Sequence, residues 1–553
     1  MKKLAVKQLA VLGLTGAVFV LPAGASATTA GRSTTASSTP TLVSARDVPP
    51  SRGGPPRDPY GYLPLHAREF AHTKAAANAR SGAKPASPGK SGRGAPIVST
   101  YANVSPSFNA AYQTGVTPPD TTGAIGPDRY IEAINTEYAI YSRTGSLVKG
   151  DSLSSLTGIP GGLFGHNLSD PQVMWDAKTQ RFYYAAVYYD FLLSDNGIAV
   201  GWSKTATPSS SNDFCKYALA FADELPDYPK LGDSSDFLLF GYNLFGLLGS
   251  TYDGSEVAIL NKPPAGTACA PTSAFAVHTS GVLLNSDSSL AATPVPANLV
   301  DDSNGAGYVV ANADLSVTAS ADFVSVYSVR TGGTDANGIP VPSVSAAQNV
   351  PVSPYSLPAD APQQGSSNLL DTLDGRFEAA VAAVDPDQGI AVWTAQAVFG
   401  GAGAEERWYE IDPVAGSVLQ SDAVSSGSLF VWNGAVSPDR ANNGSAGDFG
   451  NSMAMSVSTS SAAAYPAIQL VWKHGTAAQS ALTNLVQATG PNVDLSCSNT
   501  SACRWGDYSG ASPDPAATGS VGKVWLANQY NQAGGTTSST AWRTWVFGVT
   551  PTG

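Results

Sequence analysis

The sequence predicts an all-β chain, folded as a seven-bladed β-propeller and preceded by a signal peptide and a disordered linker. Three observations point there. From about Pro96, short β-rich runs alternate with Gly, Pro, Asn and Asp turns, and helical periodicity is nearly absent. One pattern, an acidic loop start leading into a strand, recurs seven times. All ten Trp lie beyond residue 174, so the large core-forming side chains belong to the repeating part.

In chain order, residues 1–27 read as a secretion signal. Lys2, Lys3 and Lys7 form a basic start, Leu9 to Leu21 an apolar core, and Ala25-Ser26-Ala27 a small-residue cleavage site. Residues 28–98 are rich in Ser, Thr, Pro, Ala and Gly and lack apolar periodicity, so they are expected to be a disordered linker or propeptide. Residues 99–553 form the propeller domain.

The repeats follow. Asp120-Thr121-Thr122-Gly123 leads into Tyr130–Asn135, and Asp170-Pro171 leads through Trp175-Asp176 into Arg181–Tyr189. Asp227-Tyr228-Pro229-Lys230 precedes Phe237–Asn243, and a weaker copy begins near Asn304. Asp371 to Arg376-Phe377-Glu378 runs through Asp385-Pro386 into Gly389–Ala397, and Asp448-Phe449-Gly450 leads into Met453–Ser458. Arg504-Trp505-Gly506-Asp507-Tyr508 closes the series through Asp514-Pro515. Spread over 455 residues (553 − 98), seven copies average 65 each, longer than the blades of common repeats and in need of long loops. No blade covers its own faces, so the copies stack in a ring. The strand-like Ile97–Tyr101 and Trp542–Phe547, at opposite ends, are expected to share one blade and close it.

Charge and cysteines set the compartment and exclude partners. Residues 1–98 hold 13 Lys/Arg and 3 Asp/Glu; the rest hold 17 basic (30 − 13) and 39 acidic (42 − 3) side chains, a net −22. An acidic body without clustered Lys/Arg excludes a nucleic-acid partner. No later stretch is apolar enough to span a membrane. The expectation is a secreted, extracellular monomer. Four cysteines in an oxidising compartment favour two disulfides, with Cys497 and Cys503 close enough to clip one loop and Cys215 left for Cys269, other pairings remaining open.

The motifs PPDTTGAIGPDRYIEAIN, LSDPQVMWDAKTQRFYYAAVYY, DYPKLG and RWGDYSGASPDP…VWLANQY resemble a family of secreted bacterial β-propeller proteins carrying such blocks in this order. The likeness spans residues 118–235 and 447–530 and implies a sialidase-type propeller fold. The Ser-x-Asp-x-Gly-x-Thr-Trp box of true sialidases is missing.

If the repeats are in register, Asp120, Asp170, Asp227, Asp448 and Asp507 gather near the axis, with Lys230, Arg376 and Arg504 between them. Such a ring requires raised carboxyl pKa values or a neutralising cation, which makes Ca²⁺ the expected ion, although no motif requires a cofactor. The alternative is that each Asp caps its own loop. Asp120, Asp507, Arg504 and Tyr508 are the candidate catalytic set, with Asp120 paired to Asp507 or Glu378 as acid and base; Asp170, Asp227, Lys230, Arg376 and Asp448 are candidate substrate contacts. Against this stands an Arg504–Asp507 staple with Tyr508 and Trp505 packed between blades. Two functions survive: a sialidase-like glycoside hydrolase acting on an extracellular glycan, or a non-catalytic glycan- or surface-binding propeller holding a structural cation.

Overall fold

The computed structural model describes residues 38–51, 64–87 and 95–552, apart from short stretches at 113–114, 162–164, 191–194, 222–223, 247–250, 264–267, 302–303, 441–448, 499–501, 518–520, 533–534 and 537–540. The secretion signal expected at 1–27 lies outside them. Seven antiparallel sheets follow one another around a ring. Their innermost strands are Thr122–Ile125 (blade 1), Asn167–Asp176 (blade 2), Leu225–Asp233 (blade 3), Ala291–Pro296 (blade 4), Phe377–Asp385 (blade 5), Phe430–Pro438 (blade 6) and Gly510–Pro513 (blade 7). Each sheet then steps outward through strands that are near-continuous apolar runs, such as Phe237–Phe245 and Arg181–Tyr189. Both faces of these runs are buried against neighbouring blades. The Phe182, Tyr183, Tyr184 and Tyr188 rings are core for that reason.

The ring closes by sharing a blade, but with a different strand from the one expected. Val104–Tyr112, not Ile97–Tyr101, pairs antiparallel with Trp542–Val549, while Ile97 and Val98 pair with Gln487 and Val486 at the rim of blade 6. Burial explains the choice. Val104 is buried and Phe108 packs 5.2 Å from Tyr141, whereas Ile97 and Val98 find no core to enter and stay exposed.

The expectation of disorder over 28–98 fails for the described parts of that segment. Thr41–Ser44 adds a fifth strand to blade 2, with Thr41 opposite Ala220. Ala67–Ser81 is a helix ended by Gly82 at φ 64°. It carries little apolar periodicity because polar contacts anchor it. Buried Lys74 reaches Asp360 (3.1 Å), Thr372 Oγ1 (2.9 Å) and the carbonyl of Leu373 (2.6 Å), and Asn78 exchanges hydrogen bonds with Asp360.

At the far ends of the innermost strands, a second set of aspartates ties turns and neighbouring blades together. Asp233 accepts from Leu299 N (2.7 Å) and Lys262 Nζ (2.6 Å), and Lys262 also reaches Asp176 (3.0 Å). Asp439 accepts from Gly450 N, Ser452 N and, across to blade 7, Gly522 N. Asp514 pairs with Arg143 of blade 1 and accepts from Trp525 Nε1. Both disulfides are present, Cys215–Cys269 and Cys497–Cys503.

Candidate functional site

One backbone device recurs at the axis. In blades 2 to 6 the innermost strand carries one extra residue relative to its partner: Ser169/Gln172, Asp227/Lys230, Ala292/Val295, Phe377/Ala380 and Trp432/Ala435 each bracket a bulge. The first residue inside the bulge is Asp170, Tyr228, Thr293, Glu378 or Asn433. Four of these have positive φ: 51° at Asp170, 55° at Tyr228, 51° at Thr293 and 55° at Asn433. Asp120, at φ 46°, does the same just before the first strand of blade 1. Asp and Asn tolerate this conformation; Tyr and Thr adopt it at a cost of roughly 1–3 kcal/mol each. Structurally, then, the equivalent of Asp170 in blade 3 is Tyr228, and Asp227 stands one position earlier. On the blade 7 side, Gly510 lies against blade 1 so closely that a Cβ would meet Gly123 N at 2.9 Å.

The bulges bring the expected residues together, and bond them to one another. Asp120 accepts from Asp507 N (2.7 Å) and Asn135 Nδ2 (2.7 Å), and Asn135 Oδ1 accepts from Asp170 N (2.8 Å). Arg504 is clamped between Asp507 (2.5 Å) and Asp371 (2.8 Å). Tyr508 donates to Pro171 O and Tyr228 to Asp507 O, both at 3.1 Å. Arg376 is forked on Asp374 at 2.7 and 2.6 Å, with its guanidinium 4.5 Å from the Tyr228 ring. Lys230 Nζ lies 4.0 Å from that ring and 3.5 Å from the ring of Tyr508. Asp448 falls outside the described residues. The cluster is shut away: Asp120, Lys230, Arg376, Arg504, Asp507 and Tyr508 are all under 5% exposed, and the axial cavity beside them measures about 50 Å³.

Burial governs the titration. It pushes Asp120 well up, helped by Asp507 and Asp170 and opposed by Arg504. Asp170 rises to about 8 through burial and then the charges of Asp227 and Asp507. Asp227 rises to about 7 through burial, against Arg376. In Asp507 burial pulls up while Arg504 and Arg376 pull back down. Glu378 is driven well up by burial and by Glu406, itself wholly buried and raised. Lys230 falls to about 7 because burial disfavours its ammonium. Several carboxyls are therefore neutral inside the fold, and Arg504 and Arg376 answer the charge that remains. Among the described residues no group of three or more His, Cys, Asp or Glu could hold a metal ion.

Sequence reasoning gave Asn135 and Glu406 no role at the site and read Asp371 only as the start of a repeat, not as the partner of Arg504. Asp371 lies on the blade 4–5 connection, where Leu369–Leu370 pairs in parallel with Ala502–Cys503, and only that pairing delivers it to Arg504. Arg504 and Asp507 form the ion pair of the expected staple, and Trp505 and Tyr508 are buried beside it.

A pH dependence follows. Asp170 takes up a proton on folding between its ordinary value near 4 and about 8, so its contribution is greatest on the acid side and is lost as pH rises through that window. Asp170→Asn, which keeps the left-handed backbone accessible, is expected to flatten the decline in melting temperature between pH 5 and 8 and to melt higher than the unaltered protein at pH 8. Thermal melts across that range check it; an unchanged slope would refute the assignment.

No protein-family model matches the chain, and no curated protein matches it. Solved structures do resemble it. The Dos1 propeller is 12% identical over 81% of this chain and 95% of its own, with a TM-score of 0.35. An exo-β-1,3-galactanase from Phanerochaete chrysosporium is 11% identical over 82% and 96%, with a TM-score of 0.27. Another from Clostridium thermocellum is 11% identical over 64% and 82%, with a TM-score of 0.29. Likeness of this degree carries nothing about the chemistry of this chain.

Proposed function

We propose that the protein is an extracellular carbohydrate-binding propeller whose axial cluster is scaffold rather than catalyst. The observation that carries this is the mutual bonding and burial of Asp120, Arg504, Asp507 and Tyr508, none of which lines the neighbouring cavity of about 50 Å³. Sites for ligands of drug or sugar size usually offer about 300–1,000 Å³. A groove of about 460 Å³ on blades 3 and 4 fits better: Ser280, Asn285, Ser286, Ser288, Tyr327 and Ser345 line it and no charged side chain does, which suits a neutral, hydroxyl-rich ligand. The two disulfides fit an oxidising compartment, and no described helix is long and apolar enough to cross a membrane.

Glycoside hydrolysis is the second reading. It is favoured by Asp170, raised to about 8 by burial, close to Asp507, which is bonded to Arg504, because glycosidic cleavage uses one carboxyl as acid and a second as base or nucleophile.

A glycan array and a polysaccharide panel separate the two. Expected are retained neutral glycans, no new reducing ends, and binding weakened at least about ten-fold by Ser286→Trp in the groove. Reducing ends that disappear in Asp507→Asn while melting is unchanged would overturn the binding reading. A melting temperature lowered by EDTA and restored by Ca²⁺ would support the structural cation.

A further inference from the structure

Lys230 stands apart from the other cations of the axis. Arg504 and Arg376 are both held by carboxylates, whereas Lys230 Nζ is fully buried and has no hydrogen-bond acceptor among the described residues. It meets only the faces of Tyr228 and Tyr508 and points to the cavity it helps to line. A second orphan donor, Gln172 Nε2, borders the same cavity, as does Glu378. Met174, Leu231, Val295, Ala380 and Ala511 give it an apolar strip, with Thr122, Asn298, Ser509 and Ser512 also in the lining. Two buried donors without acceptors cost about 1–3 kcal/mol each unless something fills the space. A few heavy atoms with an acceptor oxygen at one end match both the size and the polarity.

We propose that the axial channel is a binding site for a small aldehyde or ketone, to which the Lys230 amine adds. The carbonyl oxygen accepts from Gln172 Nε2, and the short carbon chain lies along Leu231, Val295 and Ala380. The amine lone pair forms the C–N bond as the C=O π bond breaks, and one proton passes from the nitrogen to the oxygen to give a carbinolamine. Glu378, whose carboxyl burial drives well up, gives its proton to the departing hydroxyl, and the nitrogen returns one to Glu378. Aldehyde and amine become imine and water, with no oxidant or reductant. Glu378, Asp170, Asp120 and Arg376 are the titratable groups facing Lys230, and burial outweighs the three carboxyls in lowering its pKa to about 7, so much of the amine is neutral at pH 7 to 8. An ordinary lysine near 10.4 is almost wholly protonated there.

The test is reductive trapping on the full-length protein, using acetaldehyde and cyanoborohydride at pH 7 and reading each lysine by peptide mapping. Lys230 is expected to carry the N-ethyl adduct at least about ten-fold faster than Lys149 and Lys178, given the larger neutral fraction of its amine. Benzaldehyde, too large for the cavity, is expected to leave Lys230 unmodified. Glu378→Gln is expected to slow labelling at Lys230 without changing that at Lys178. Labelling of Lys149 and Lys178 with Lys230 untouched would overturn the proposal and leave the cavity to ordered water. Equal labelling of Lys230 by both aldehydes would overturn it too, since the channel would then impose no selection.

Discussion

Replacing Arg504 with alanine is expected to destabilise the protein by about 3–5 kcal/mol, the usual cost of removing one partner from a buried ion pair. Two carboxylates from different parts of the ring, Asp371 and Asp507, close on this one guanidinium at 2.8 and 2.5 Å, inside a cluster with almost no contact with solvent. Alanine would strand both. Protonation would relieve Asp507, whose carboxyl burial already pulls up, so the loss should be smaller at pH 5 than at pH 8. The effect should also be non-additive: Arg504→Ala combined with Asp507→Asn should lose less than the two single changes summed, because the second removes a charge that the first left unanswered. Urea denaturation at both pH values measures this. A loss below about 1 kcal/mol, the range of exposed pairs, would mean that the clamp contributes no more than a surface salt bridge.

A chain beginning at residue 113 is expected to lose about 5 kcal/mol or more and to self-associate. It lacks Val104–Tyr112, so blade 7 keeps three strands and exposes the open edge of Trp542–Val549. Unpaired strand edges recruit other chains. Burial of side chains such as Val104 and Phe108 accounts for about 1.5–3 kcal/mol apiece, and the hydrogen bond from Trp545 Nε1 to Ser107 goes with them. A chain beginning at residue 99 retains the strand and should stay monodisperse. A synthetic peptide of residues 99–112, added in trans, should restore the melting temperature of the shorter chain. Sedimentation and thermal melts decide; a chain beginning at 113 that remains monomeric and melts normally would show that the shared blade is dispensable.

The architecture was legible because the acidic loop starts recur with turn chemistry that only a repeated sheet satisfies. The number of blades and the gathering of Asp120, Asp170, Asp227 and Asp507 followed from that. The register did not. One extra residue per innermost strand moves the equivalence from Asp227 to Tyr228, and a bulge leaves no mark in hydrophobic alternation. The closing strand was displaced because VSPSFNAAY, with its proline and small residues, looks less β-like than IVSTY, although Val104 and Phe108 have a core to enter. The helix 67–81 escaped notice because its anchors are Lys74 and Asn78, whereas amphipathic periodicity detects only apolar anchors. The pairing of Asp371 with Arg504 was hidden for a different reason. The two lie 133 residues apart along the chain, and only the parallel pairing of Leu369–Leu370 with Ala502–Cys503 joins them.

After the innermost strand of blade 4 ends at Pro296, the chain runs straight on to lay Asn298–Leu299 alongside Phe377–Asp385 of blade 5, and Asp233 of blade 3 fastens Leu299 there. Three consecutive repeats are thus sewn through nine residues, 291–299. Gene duplication or recombination could not insert or delete a unit at this seam without cutting the thread, so variation in repeat number is directed to other junctions.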